Sequence, residues 1–312
     1  MNELGEAVLE SHPPGFEAGA GFVDGQLVPI GEARTSVLDR GFVRADATYD
    51  VVGVWDGAFF RLEDHLDRFE RGCRKLRLEL PHSRSEIASI LVDLVRRSGL
   101  RAAYVEMICT RGVPWAGSRD PRTYENRFLA VAVPYVWIFS SDDPAAGMDA
   151  IIARTVRRIP VDSIDPTVKN FHWGDLTKAL YEAYDRGAHY PLVLDHDGNV
   201  TEGPGYNVFA LVGDRLLTPE SGTLEGITRR TVIELAAQEG IEAELVPMPE
   251  EELRRAREVF ATSTAGGVMP IVSLDGDPVG AGTAGPMTRR LRELYWAAHR
   301  DPRYITAVDY AG

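Results

Sequence analysis

The chain has 312 residues, room for one large domain or two of ordinary size, and 44% of them are apolar, as in an enzyme with a full core. A formal net charge of −13 argues against non-specific nucleic-acid binding, which needs a basic face. Cys73 and Cys109 are too few for a disulfide framework and read as core residues, no apolar run approaches the roughly 20 residues of a membrane span, and residues 1–21 lack the pattern of a signal peptide, so a cytoplasmic protein is expected.

In chain order, residues 22–23 and 26–30 flank Asp24-Gly25, and residues 49–55 and 58–60 flank Asp56-Gly57. Both are predicted hairpins, because Asp-Gly tolerates the positive φ angles that a tight turn requires. Then the apolar period lengthens: Leu62, Leu66, Phe69, Cys73 and Leu76 predict a helix over 62–77. Ser83 or Ser85 caps a second helix, which carries Ile87, Leu91, Leu94 and Val95 inward and ends at Gly99. Residues 102–110 and 127–137 read as paired strands, joined by a long loop over 111–126 of the kind that often carries function. The polar run Ser140-Ser141-Asp142-Asp143-Pro144 is the best linker, which divides the chain into a small N-terminal α+β domain (1–143) and a larger C-terminal one (144–312). Beyond it, strand is expected over 148–157, helix over 174–187, alternating strands and turns over 190–217, helix over 228–240, one strand over 259–272, and a last helix over 286–300.

Four segments carry candidate chemistry. Lys169 lies among apolar and aromatic neighbours ahead of a helix, where burial favours the neutral, nucleophilic amine; a lysine snorkelling from a helix start is the plainer reading. Glu202 lies in Thr201-Glu202-Gly203-Pro204-Gly205-Tyr206-Asn207, where glycines admit a ligand to the backbone and a carboxylate can meet a cationic ring nitrogen; a surface turn explains it as simply. Gly226-Ile227-Thr228 opens a helix whose first N–H groups suit a phosphate, although Thr228 as a plain N-cap is the commoner case, and Ser263-Thr264 can add hydroxyls. Arg68 lies in an amphipathic helix, where it either pairs with a surface carboxylate or presents its fork to a phosphate.

In combination and order, His65-Leu66-x-Arg68-Phe69, Val168-Lys169-Asn170-Phe171, Thr201-Glu202-Gly203-x-x-x-Asn207-Val208-Phe209 and Glu225-Gly226-Ile227-Thr228-Arg229 resemble the fold-type-IV pyridoxal-phosphate aminotransferases, over roughly residues 20–300. The run from Lys169 to Leu176 with Glu202 to Asn207 is most similar to the (R)-selective amine transaminases within that branched-chain and D-amino-acid aminotransferase-like family. The resemblance implies a two-domain α+β fold with pyridoxal 5′-phosphate between the lobes and a homodimer, for which Phe16 and Phe22 are candidate contacts. It implies that Lys169 carries the cofactor as a Schiff base and is the catalytic residue. Glu202 then pairs with the ring nitrogen, Asn207 belongs to the cofactor set, and Arg68, Ile227, Thr228, Ser263 and Thr264 hold the phosphate. Tyr49, Val51, Tyr104, Glu106 and Trp173 line the substrate pocket.

Glu106 would repel a donor's carboxylate, which favours an amine without one, (R)-configured by resemblance, with a keto acid such as pyruvate as acceptor. Arg119 is the candidate partner for the acceptor carboxylate and Arg122 the second; a solvated loop arginine is the alternative. The rivals are a D-amino-acid or branched-chain aminotransferase and an aminodeoxychorismate-lyase-like enzyme on the same fold, or a cofactor-free binding protein. The seven histidines show no metal-ligand spacing, and Asp195-His196-Asp197 reads as a turn, so no metal is expected.

Overall fold

In the computed structural model, which describes residues 15–115 and 118–311, both Asp-Gly pairs make tight turns with two successive positive φ angles: 51° and 76° at Asp24-Gly25, 55° and 79° at Asp56-Gly57. This geometry matches the twist of the strands it joins: β1 (Ala20–Val23) with β2 (Gln26–Pro29), and, after the short α1 (Arg40–Arg44), β3 (Ala47–Trp55) with β4 (Ala58–Phe60). Two helices follow, α2 (Leu62–Lys75) and α3 (Arg84–Ser98). Ser83, not Ser85, caps α3, in a reciprocal box with Glu86, and Gly99 ends it at φ 68°. β5 (Ala103–Thr110) and β6 (Arg127–Pro134) pair antiparallel as expected. The sheet order is the C-terminal strand Ile305–Ala307, then β4, β3, β5, β6, β1, β2.

One face of this sheet is closed by α2 and α3. Along β5 the residues alternate: Ala103, Val105, Met107 and Cys109 join Leu66, Phe69, Leu91 and Leu94 in the core, whereas Tyr104, Glu106 and Ile108 are only half-buried on the other face. Cys73 and Cys109 are free thiols inside that core. Phe22 is buried in it beside Phe128, and Phe16 packs against it, so neither is the exposed contact expected from the sequence; strand pairing turns Phe22 inward.

The second sheet holds β7 (Met148–Ile152), β8 (Tyr190–Leu194), β9 (Val200–Gly203), β10 (Tyr206–Val212), β11 (Arg215–Pro219), β12 (Ala243–Val246), β13 (Glu258–Ser263) and β14 (Gly267–Leu274). Its helices are α4 (Gly174–Asp185), α5 (Ile227–Gln238), α6 (Glu250–Arg254) and α7 (Pro286–Ala298). Strand order is β12-β11-β10-β13-β14-β7-β8-β9, and β9 also pairs with β10, so six strands close a ring around Met148, Ile152, Leu192, Val208, Ala261 and Ile271. Two expectations change. β7 stops at Ile152, because the backbone N–H groups of Arg154 and Thr155 leave the ladder for the Glu182 carboxylate. The single strand expected over 259–272 is a hairpin, β13 and β14, turned at Gly266 and Gly267, whose φ angles of 146° and 69° no continuing strand adopts.

The chain divides into two compact units. The first runs to Val136 and includes Val168–Phe171 and the residues from His299 onward; the second is Trp137–Thr167 with His172–Ala298. The boundary therefore falls at 136/137 rather than 143/144, and two later segments belong with the first unit for an identifiable reason. The Lys169 carbonyl accepts hydrogen bonds from Tyr49 N and Thr48 Oγ1, and Ile305–Ala307 adds a strand to β4. Among the described residues, no helix is long and apolar enough to cross a membrane.

Candidate active site

Lys169 does not start a helix. It lies in a non-helical segment, between a turn at residues 166–167 and an isolated bridge at Asn170, with α4 beginning only at Gly174. Upstream, the Asp165 carboxylate takes both the N–H and the hydroxyl of Thr167. Downstream, Asn170 bridges to Thr48 on β3. Pinned to β3 in this way, the segment places Lys169 Nζ 4.5 Å from the centroid of the Tyr49 ring, with the Phe171 ring 4.5 Å from Tyr49 as well.

Tyr49 and Val51 share one face of β3, and their partners on β5 follow: Ile108 opposite Tyr49, Glu106 opposite Val51, Tyr104 opposite Gly53. β6 extends the face with Leu129, Val131 and Val133. Tyr49, Val51, Tyr104 and Glu106, expected at the substrate pocket, thus stand together on the half-buried face, with Lys169 over Tyr49. Burial raises the Glu106 pKa and the charge of Lys169 pulls it back; burial, then Glu106, raises the Tyr104 phenol. Two basic side chains belong to this face: Lys169 over Tyr49, and Arg127 at its end on β6, paired with Asp24.

Arg68 meets β3 from the opposite side. Asp50, between Tyr49 and Val51, points into the core and receives Arg68 Nε at 2.7 Å, Arg68 Nη2 at 2.8 Å and His65 Nδ1 at 2.8 Å. Burial works to raise the Asp50 pKa, but the Arg68 charge and the hydrogen bonds from Arg68 and His65 together hold it below the usual carboxylate range. Burial lowers the His65 pKa against the pull of Asp50. The carboxylate partner of Arg68 is therefore a core residue, not a surface one, and it engages two of the three guanidinium nitrogens. Sequence reading missed Asp50 and His65. The available signal was His65 and Arg68, three apart on one helix side, facing an acid in an otherwise apolar strand.

In the loop, the fork of Arg122 closes on Asp120, with Nη2 to Oδ2 at 2.6 Å, so Arg122 is withdrawn as a carboxylate partner: a neighbour two residues away already occupies it. Arg119 is exposed.

In the second unit, Glu202 is buried on β9 opposite Asn207. Its Oε1 accepts from Arg158 Nε (3.1 Å) and Nη2 (3.0 Å), and its Oε2 from Thr223 Oγ1 (3.0 Å) and Leu224 N (2.9 Å). Arg158 Nη1 reaches Asp175 Oδ2 at 2.6 Å, and Asp175 also accepts from the N–H groups of Ile159 and Leu176. Burial disfavours the Arg158 charge, yet Glu202 and then Asp175 lift its pKa above the ordinary value. Asn207 Nδ2 donates to Thr223 Oγ1 and the Leu224 carbonyl, tying the same loop to β10. Trp173 stands over the turn at Gly205, 3.6 Å from where a Cβ would lie there. None of Arg158, Asp175 and Thr223 was expected: Arg158 lies 44 residues from Glu202, beyond the reach of any local pattern.

α5 begins at Ile227 with Gly226 as N-cap and no side-chain cap, so Thr228 is not the capping residue. A Cβ on Gly226 would lie 2.1 Å from Asn207 Oδ1, which is why glycine stands there. Thr228 Oγ1 is 3.5 Å from Tyr295 Oη. Thr262, opposite Asn207 on β13, has a buried hydroxyl without a hydrogen-bond partner. A helix start lacking a side-chain cap and an orphan hydroxyl are the donor chemistry that a phosphate ester requires. Ser263 is corrected: its hydroxyl donates to the Gly205 carbonyl and accepts from Ala265 N, so its single proton is engaged inside the turn. Thr264, next in the chain, is half-buried. Asp195 accepts from Asp197 N and Asn199 N and makes a turn, as its sequence suggests.

The model of the family described as amino-transferase class IV matches residues 47–274. A putative branched-chain-amino-acid aminotransferase of Methanocaldococcus jannaschii is 32% identical over 278 residues, 88% of this chain and 94% of that protein. A D-alanine aminotransferase of Staphylococcus haemolyticus is 29% identical, over 87% of this chain and 95% of that protein. Among solved structures, the T.th. branched-chain amino acid aminotransferase with pyridoxamine 5′-phosphate superposes with a TM-score of 0.87 at 31% identity, covering 94% of this chain and 99% of that one.

Proposed function

Because the chain belongs to the class IV amino-transferase family, we propose that it moves an amino group from an (R)-configured amine without a carboxylate to a keto acid such as pyruvate. It is an aminotransferase whose cofactor is pyridoxal 5′-phosphate, a group that supplies an electron sink for the pair left when the substrate carbon loses a proton.

Lys169 carries that cofactor, and its Nζ removes and returns the proton, with Tyr49 and Phe171 fixing where the amine stands. Glu202 holds a proton on the ring nitrogen, and Asn207 fixes the loop that orients Glu202. Ile227 and Thr228 offer backbone N–H groups to the phosphate and Thr264 and Thr262 offer hydroxyls, whereas Arg68, paired with Asp50 in a neutral cluster, brings no net charge to it. Val51 and Tyr104 shape the apolar side of the pocket beside Lys169, and the substrate role of Trp173 rests on the resemblance alone.

The observation that carries the donor class is the sheet face beneath Lys169. It holds Tyr49, Val51, Tyr104 and Glu106 around Lys169, while Arg127, at the end of the same face on β6, is paired with Asp24. Whether charged or neutral, Glu106 provides no cation to receive a carboxylate, and when charged it repels one. Arg119 is left to meet the acceptor's carboxylate. A second reading, a branched-chain L-amino-acid or D-alanine aminotransferase, is favoured by the names of the relatives. We also propose a homodimer. Val37, Leu38, Phe42 and Val43 form an exposed apolar run that suits one better than Phe16 or Phe22, and sedimentation velocity checks it.

The deciding experiment loads the protein with cofactor and follows its visible band on adding one donor at a time, without keto acid. Bleaching by (R)-1-phenylethylamine and little change with its (S)-enantiomer is the expected result. Bleaching only by D-alanine or L-leucine keeps Lys169 in its role but removes the reading of Glu106.

A further inference from the structure

We infer that Asp175 and Arg158 are positioning residues that set the charge presented by Glu202: the three side chains form one buried cluster with a net charge of −1, matched to a single cation. The inference rests on the reading that Glu202 meets the cofactor's ring nitrogen.

The geometry shows why Asp175 is needed. Arg158 reaches Glu202 through Nε and Nη2, both within 3.1 Å of Oε1. Alone, that contact is a neutral buried pair with little attraction left for another cation. Asp175 takes the remaining nitrogen, Nη1, at 2.6 Å and returns one negative charge to the cluster. The N–H of Ile159 and that of Leu176 in the first turn of α4 both point at its carboxylate, and a helix start attracts negative charge. Thr223 and Leu224 hold Oε2 of Glu202, so the carboxylate cannot turn away. Arg229, buried on α5, also feels the Glu202 charge, but its hydrogen bonds go to Thr218 Oγ1 and the Pro219 carbonyl, so the enclosed negative charge still calls for a counter-charge in direct contact. A protonated pyridine nitrogen is a cation of that size, and the cluster raises its affinity for its proton.

The test uses holoenzyme loaded with pyridoxal phosphate labelled with 15N in the ring, whose resonance reports ring protonation as pH is varied. Asp175→Asn brings the cluster to zero and should lower the pH at which the nitrogen loses its proton by about one unit, tenfold in proton affinity. Arg158→Gln brings it to −2 and should raise that pH, while Arg158→Lys keeps the charge and should titrate close to wild type. A purely structural role would alter stability but not this order. Asp175→Asn titrating with the wild type, or Arg158→Gln falling below it, overturns the inference, and either variant decides alone if the other does not fold. Failure of both and of Arg158→Lys to fold also overturns it, in favour of a structural role. Glu202→Gln separates the layers: if it keeps the ring proton, the Glu202 assignment itself fails; if it loses the proton while Asp175→Asn does not shift, only the cluster inference fails.

Discussion

Arg68 in the first unit and Arg158 in the second are both buried, and both bond a carboxylate carried on a strand, yet their surroundings differ by one charge. Asp50 takes Arg68 through two nitrogens and adds His65, whose pKa burial lowers, so the cluster sums to zero. Arg158 stands between two carboxylates, Glu202 and Asp175, and the sum is −1. A balanced cluster fastens a helix to a sheet and asks for nothing more. An unbalanced one holds its residues just as firmly but keeps an attraction for a cation. The same residue type at similar depth thus serves architecture in one place and, on our reading, chemistry in the other.

That contrast can be broken by experiment, and Lys169 lies outside both clusters. If the clusters hold and Lys169 reacts, Lys169→Ala removes at least about 10,000-fold of turnover and leaves the denaturation midpoint nearly unchanged. A large stability loss in that variant would make Lys169 part of the scaffold instead.

Asp50→Asn should act in the reverse sense. It leaves the Arg68 charge buried without its acid, a cost of about 3–5 kcal/mol readable as a fall in the urea midpoint. The pH dependence has a definite sign. His65 and Asp50 both have lowered pKa values in the fold, so in each case the unfolded chain binds the proton more readily. Wild-type stability should weaken as pH falls below about 6.5, where unfolded histidine begins to charge, and again below about 4 as Asp50 approaches its depressed folded value. The variant should lack the lower limb; an unchanged profile would mean that Asp50 is not the acid that matters.

The smallest expected effect sharpens the reading of the phosphate donors. Gly226→Ala pushes a methyl against Asn207 Oδ1 and should weaken cofactor binding by about tenfold, the equivalent of some 1.4 kcal/mol, measured by titrating the cofactor-free protein. Unaltered affinity would show that the start of α5 does not bear on the cofactor.

Much of this was legible in the chain itself. The Asp-Gly turns, a serine cap ahead of α3 with Gly99 at its end, and the apolar stripe of α2 are local, because each depends on residues a few positions apart. Local rules also misled. Residues 259–272 have strand composition throughout, and only the φ angles at Gly266 and Gly267 reveal the reversal. Ser263 looked like a free hydroxyl until the Gly205 carbonyl appeared beside it.

What the sequence determined by itself was therefore chemistry by type and order: a lysine in an apolar setting, an acid in a glycine turn, a glycine opening a helix, and through their combination a family. What the tertiary structure alone decided was partnership. Asp50 with Arg68, Arg158 with Glu202 and Asp175, and Thr262 opposite Asn207 all join residues from separate elements, up to 55 positions apart in the β-ladder at 207 and 262. Charge balance and hydrogen-bond satisfaction are properties of what surrounds a group in space, and no residue's own neighbours in the chain report them.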